Sequence, residues 1–424
     1  MLTPDAKLSI EAALRIGVED SVLLEKDDLT MTYALSLTDG GEHTLRMPCS
    51  QSAATVIQSE VATARYLFNH ASIPVPKVVV AFQNIDATGS TDCFAIYDKP
   101  SGICLDQIFS QLPPRDQARI VSTIARWMVD VFRLRFDKIG SICDEAGTVG
   151  PIASKPFFAE GRAKLPLDRG PFSSAREYFK ACAQRELDSS RMLFTQDAPL
   201  SYQHDLEESR IMVERIAGLL CDLTQRCHGL DEDDPQMAPF SLDIHDLSLK
   251  NIFVSPDDPT NIVVVTDWRF LTTRPLWCCG RLPPWLSPSM STQHETTRLV
   301  SIFKAEVARL DGLDSTFLRA LDLDDTRYTL DDLSTYDAFR DGFLLLPALE
   351  NILATLPGHE DFAGLTALLD PSTLPGRVAR INLLTHGSNA MYLAMTPPRS
   401  PMTLPVKDEG TETAVPHNSS VLVT

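Results

Sequence analysis

No run in this sequence approaches the ~20 consecutive apolar residues that a membrane-spanning helix needs. The N-terminus, MLTPDAKLSIEAAL, lacks the apolar core of a signal peptide and is too acidic for a transit peptide. Positive charge is scarce: 38 Lys and Arg stand against 57 Asp and Glu, a net charge of −19. That balance argues against nonspecific nucleic-acid binding, although local cations and a bound metal ion can reverse the field inside a cleft. The nine cysteines form no CxxC pair, Cys227-His228 lacks zinc-finger spacing, and Cys278 and Cys279 are adjacent. Reduced structural thiols and a cytoplasmic location are therefore expected, with neither membrane nor nucleic acid as a partner. There is no internal repeat. What remains, 44% hydrophobic and 22% charged over 424 residues, is ordinary globular chain.

One stretch organises the rest, Phe240 to Trp268 (FSLDIHDLSLKNIFVSPDDPTNIVVVTDW). Phe240, Leu242 and Ile244 alternate with polar residues, Ile252-Phe253-Val254 is a short apolar run, and Ile262 to Val265 is β-branched throughout. Turn residues from Ser255 to Asn261 separate the last two, so the pattern predicts strand, loop, strand, turn, strand. Pairing of those last strands brings Asn251 and Asp267 to one end of a ladder, beside the loop that carries Asp246. Two carboxylates and an amide oxygen then converge. Oxygen ligands of this kind suit Mg²⁺ at a phosphate, with one carboxylate left for a hydroxyl proton. Asp246 is thus the candidate catalytic residue, and Asn251 and Asp267 the candidate metal ligands. His204-Asp205-Leu206 repeats the tripeptide, but Arg210 stands at the Asn position and no hairpin follows.

Asp246, Asn251 and Asp267-Trp268 resemble the aminoglycoside phosphotransferase and choline kinase-like family of the protein kinase-like superfamily. The resemblance runs over roughly residues 20 to 395. Ser59 to Val78, Arg169 to Tyr178 and Thr273 to Leu286 resemble fungal members in particular. It implies an α+β bilobal fold, with a small N-lobe over 18–100 that has an antiparallel sheet and one main helix, and a larger mostly helical C-lobe over 101–395; outside it, residues 1–17 read as a helical lead-in and the proline-rich, polar residues 396–424 as a disordered tail. It further implies that Arg46 on the third strand is the phosphate-side cation and that Glu60, on a helix carrying Ile57, Val61, Ala64 and Phe68, pairs with it. The strand ending at Asp98 would meet adenine, and Ser101-Gly102 with Leu105 follows it as in the family. The implied activity is ATP-dependent phosphoryl transfer to a small-molecule hydroxyl, with ATP as cosubstrate and Mg²⁺ as cofactor.

Three positions depart from the family pattern. The turn Glu25 to Thr30 has no glycine where phosphates expect close-approaching amides. Ile244 stands at the loop-histidine position, and His245, one residue on, is expected on the opposite face and outside the loop-bracing role. Arg269 follows Asp267-Trp268. The alternative reading is therefore a pseudokinase that serves as a binding or scaffold module. Other expected elements are a core helix over Arg115–Arg133, a helix capped by Ser173 or Ser174 that covers the substrate side, and helices over Thr296–Arg309, Ser334–Leu346 and Phe362–Leu369.

Overall fold

The computed structural model describes residues 2–85, 91–193, 203–286, 293–323 and 326–356; the expected helix at 362–369 and the tail from 396 lie outside them. Helix α1 (Pro4–Leu14) starts at Thr3, whose hydroxyl accepts the Ala6 amide at 3.3 Å and satisfies one free helix-end donor. Strands β1 (Val18–Lys26), β2 (Thr30–Leu37) and β3 (Glu42–Pro48) precede helix α2 (Ala54–His70), and β4 (Val78–Ile85) and β5 (Thr91–Asp98) follow it. The five strands form one antiparallel sheet in the order β1-β2-β3-β5-β4.

The period-2 alternation of β5 divides two cores. Phe94 and Ile96 face a layer with Leu35, Leu45 and Ile10 of α1. Cys93, Ala95 and Tyr97 face Ile57 and Val61 of α2. Each such fully buried aliphatic side chain contributes roughly 1.5–3 kcal/mol. Phe68 is a correction: on the last turn of α2 it is 71% exposed, and Leu67, one step round the helix, takes the buried place. β1 is the sheet edge, which explains why the apolar triplet Val22-Leu23-Leu24 is exposed although it is strand.

Beyond Asp98 the chain is mostly helical. It contains β6 (Ile103–Cys104), α3 (Leu105–Ile108), α4 (Pro114–Phe132), the hairpin β7 (Ser141–Ile142) and β8 (Val149–Gly150), α5 (Lys155–Phe158), α6 (Ala175–Leu193) and α7 (Gln203–Arg226). Then come β9 (Phe240–Leu242), β10 (Ile252–Val254), β11 (Ile262–Val265), β12 (Thr273–Pro275), α8 (Leu276–Cys279), α9 (Gln293–Asp311), α10 (Thr316–Leu321), α11 (Thr326–Ser334) and α12 (Gly342–Thr355). The expected α+β arrangement is present: an antiparallel sheet with one main helix, followed by a larger, mainly helical part.

On α4, Ile120, Ile124, Trp127, Met128, Val131 and Phe132 are all buried, so the stripe is core, packed toward α9. Ser174 caps α6 by accepting the Glu177 amide at 3.2 Å, and Asp231 takes the Ala175 and Arg176 amides. A helix over Ser334–Leu346 does not form. Ser334 ends α11, and α12 starts only at Gly342; between them the Asp337 carboxylate accepts the Phe339 and Arg340 amides, a local turn that competes with helix. The tripeptide at His204 lies within α7, on a helix rather than a loop.

Candidate active site

β9 carries the chain into a loop over 243–248, a short 3₁₀ turn (Leu249–Asn251) closes it, and β10 and β11 form the expected hairpin with Ile252 opposite Val265. The Thr266 amide donates to the Asn251 carbonyl at 2.8 Å, so the backbones of Asn251 and Asp267 do meet at one end of the ladder. Asp267 sits at φ 64, a left-handed conformation that Asp tolerates better than most residues. Gly102, at φ 99, makes room for this hairpin: a Cβ there would lie 2.2 Å from the Val254 carbonyl oxygen. Asp246 is exposed on the loop. The Trp285 indole N–H pins that loop by donating to the Leu247 carbonyl at 2.9 Å.

The ion pair between Arg46 of β3 and Glu60 of α2 is formed, with both side chains buried. Arg46 Nη1 also donates to Asp267 Oδ1 at 3.1 Å, and its Nε to Thr32 Oγ1 at 3.3 Å, which ties the sheet to the end of the β10–β11 hairpin. Burial pushes the Glu60 carboxyl above its ordinary range despite the Arg46 charge. Burial opposes ionisation of Asp267 too, but the Arg269 hydrogen bonds and the Arg46 charge outweigh it and hold that carboxyl below its ordinary value. Asp98 is not brought to this cluster. It lies opposite His43 at the other end of the β3–β5 ladder, while Ala95 is the residue opposite Arg46. The Asp98 amide donates to the Lys77 carbonyl at 3.1 Å.

Arg269 makes the largest difference to the expected picture. Its Nε donates to Asp267 Oδ1 at 2.5 Å and its Nη2 to Oδ2 at 3.0 Å, a two-pronged grip on that carboxylate. Nη1 reaches the β1–β2 turn, donating to Asp27 Oδ2 at 3.0 Å and Thr30 Oγ1 at 2.6 Å. Asp27 Oδ1 meanwhile accepts the amides of Leu29 and Thr30 at 2.8 and 2.7 Å. Asp27 in the glycine-free turn is therefore a paired carboxylate. Asp27 builds the turn from within, and Arg269 neutralises it.

His245 also corrects an expectation. Its Nδ1 lies 2.6 Å from Asp243 Oδ1, its amide donates to the same oxygen at 3.1 Å, and the Asp243 amide is anchored on the Thr272 carbonyl at 3.0 Å. The ring thus braces the loop through Asp243, contrary to that expectation. Burial alone would push the His245 imidazole down; the Asp243 carboxylate more than offsets this and raises it.

Sequence reasoning misses the roles of Asp27, Thr30 and Asp243. The first two carry a readable signal, since Asp-x-x-Thr is a turn that caps its own amides. Asp243 two residues before His245 carries none that separates it from strand residues. All nine cysteines are free, and no described helix is long and apolar enough to cross a membrane.

Among the described residues no three His, Cys, Asp or Glu side chains gather to hold a metal ion. The oxygen donors expected for one, Asn251 and Asp267, do share a hairpin end and are of the type a hard divalent cation takes. Both Asp267 oxygens, however, are engaged by arginines.

No family profile matches the sequence, and no curated protein matches it. Among solved structures, the chain is similar to the ADP-bound aminoglycoside phosphotransferase APH(2'')-Ib, with 14% identity over 84% of this chain and 98% of that one, at a TM-score of 0.44. It is similar to the gentamicin complex of APH(2'')-IIa at 13% identity, over 84% and 98% of the two chains, with a TM-score of 0.45. For the amicoumacin kinase hAmiN with AMP-PNP and Ca²⁺ the values are 14%, 90%, 93% and 0.40. Likenesses of that size are too loose to assign an activity, and the identities are too low to transfer a residue's role.

Proposed function

We propose that the chain is an ATP-dependent phosphotransferase that moves a γ-phosphoryl group to the hydroxyl of a small molecule, a fungal-type relative of the aminoglycoside phosphotransferases. The single observation that carries this reading is the Glu60–Arg46–Asp267 chain, in which a buried strand–helix ion pair reaches the hairpin end that also holds Asn251. In that reading residues 18–100 are the nucleotide-side lobe and 101–395 the lobe with the reacting groups. Arg46, aimed by Glu60, meets the α- and β-phosphates. Asp98 ends the strand that borders the adenine. Asp246, exposed on a loop braced by His245–Asp243 and Trp285, takes the proton of the acceptor hydroxyl. Asn251 and Asp267 would hold Mg²⁺, which when bound neutralises phosphate charge.

A pseudokinase is the second reading, favoured by the Arg269 grip on Asp267 and by a turn whose Leu29 and Thr30 amides are already taken by Asp27. Thermal stabilisation by ATP separates binding from no binding, because a ligand at a hundred times its Kd adds about 2.7 kcal/mol. Phosphate transfer to a panel of small alcohols then separates enzyme from scaffold. Asp246→Asn should abolish transfer and leave ATP stabilisation intact; stabilisation without transfer to any alcohol in the wild type would leave the scaffold.

A further inference from the structure

We propose that Arg269 sets the metal affinity of the site, because Arg269 and a divalent cation compete for the same carboxylate, Asp267. The proposal rests on the phosphotransferase reading only in taking Asp267 as a metal ligand. A cation at Asp267 needs at least one carboxylate oxygen free of a guanidinium. Oδ2 is held by Arg269 alone, and Oδ1 is shared by Arg269 and Arg46. Arg46 is anchored beside Oδ1 by its ion pair with the buried Glu60, and leaving would strand that carboxylate without its cation. Arg269 is the partner that can yield. It has a second carboxylate to retreat to, Asp27 at 3.0 Å, with Glu25 at 3.8 Å beyond it.

The grip is also more than local packing. Arg269 is 8% exposed and spans from the hairpin end to the β1–β2 turn, so the group that must move when metal arrives is the one that holds the turn. Metal entry at Asp267 therefore transfers Arg269 wholly to the turn, and anything that weakens Arg269's hold on Asp267 strengthens metal binding. Asp27 has the opposite sign: without its charge Asp267 is, among the described residues, the one carboxylate left within hydrogen-bond distance of Arg269, which blocks it harder.

The test uses the full chain and Mn²⁺ alone, titrated by electron paramagnetic resonance without nucleotide. R269Q should bind Mn²⁺ about tenfold to a hundredfold more tightly than wild type, the ratio a charge-assisted hydrogen-bonded pair is worth when broken. R269K, which keeps the charge but not the two-pronged geometry, should fall between. D27N should bind no more tightly than wild type. Adding D267N to R269Q should remove the gain, which places the metal on Asp267. Equal Mn²⁺ affinity in wild type, R269Q and R269K, or no Mn²⁺ binding by any of them, overturns the proposal. If R269Q does not fold, the comparison of R269K with D27N decides, since R269K must bind more tightly than wild type and D27N must not, or the proposal fails. ATP stabilisation of the same preparations without metal judges the phosphotransferase reading separately: nucleotide binding with unaltered Mn²⁺ affinities refutes the competition alone.

Discussion

Replacing Arg46 by methionine strips Glu60 of its hydrogen-bonded cation. Glu60 is 3% exposed, with the buried Tyr97 beside it. Removing one partner of a buried pair costs about 3–5 kcal/mol, because the other charge stays buried and uncompensated. Glu60→Gln is not the mirror image. Arg46 keeps Asp267 at 3.1 Å and Thr32 at 3.3 Å, and the amide oxygen can still accept from Arg46, so the loss should be nearer 1–2 kcal/mol, roughly that of one charged hydrogen bond. The pH dependence separates the two further. Without Arg46 the folded-state pKa of Glu60 rises further above its unfolded value, so the protonated form is favoured in the folded protein. Stability of Arg46→Met is then regained as pH falls, by up to about 1.4 kcal/mol per pH unit, and lost as pH rises through the folded value. Urea unfolding at several pH values, with the slope checked for constancy, measures this. An Arg46→Met cost no larger than that of Glu60→Gln, or a gap between them that ignores pH, would show that Glu60 is not left as an uncompensated buried charge.

Other outcomes follow from single contacts. Gly102→Ala puts a Cβ against the Val254 carbonyl at a left-handed φ and should cost about 1–3 kcal/mol in urea unfolding. His245→Gln should lose more stability at about pH 6 than at about pH 9. A raised histidine contributes fully below its ordinary value of about 6.5 and less as pH climbs through the folded value, so a pH-independent difference would count against the Asp243 pair. Trp285→Phe removes the hydrogen bond to the Leu247 carbonyl and should cost about 0.5–1.5 kcal/mol. If the chain is the proposed phosphotransferase, the change should also lower phosphate transfer without altering ATP stabilisation; loss of both would mean the indole supports more than the loop.

Much of the fold is legible in the sequence because it is periodic or local. The alternation of β2 and β5, the stripe of α4, the Ser174 cap and the turn between β10 and β11 are each decided by residues within a few positions of one another. The Arg46–Glu60 pair is legible only through the resemblance, which implies a cation on the third strand paired with a carboxylate on the helix that follows. Phe68 misleads because an amphipathic pattern does not say where the covering layer ends. The break between α11 and α12 is hidden because the Asp337 turn beats helix propensity over a stretch with an apolar pattern.

The electrostatics at the site are hidden for a deeper reason. In the sequence, Asp27 is a charge in a turn and Arg269 a departure after Asp-Trp, two separate oddities 242 positions apart. In the fold each explains the other. An aspartate that spends one oxygen on its own turn still carries a full charge, and partial burial makes that charge costly unless a cation arrives. Arg269 arrives from just past the β10–β11 hairpin, held at its other side by Asp267. A glycine at position 27 would leave Arg269 without its second anchor, and a Glu or Gln at 269 would leave Asp27 unpaired and Asp267 open on the side Arg269 holds. The two oddities are therefore one feature, an internal ion pair that joins the β1–β2 turn to the residue after Asp267-Trp268. Removing Arg269 alone would leave the partly buried Asp27 carboxylate without its cation.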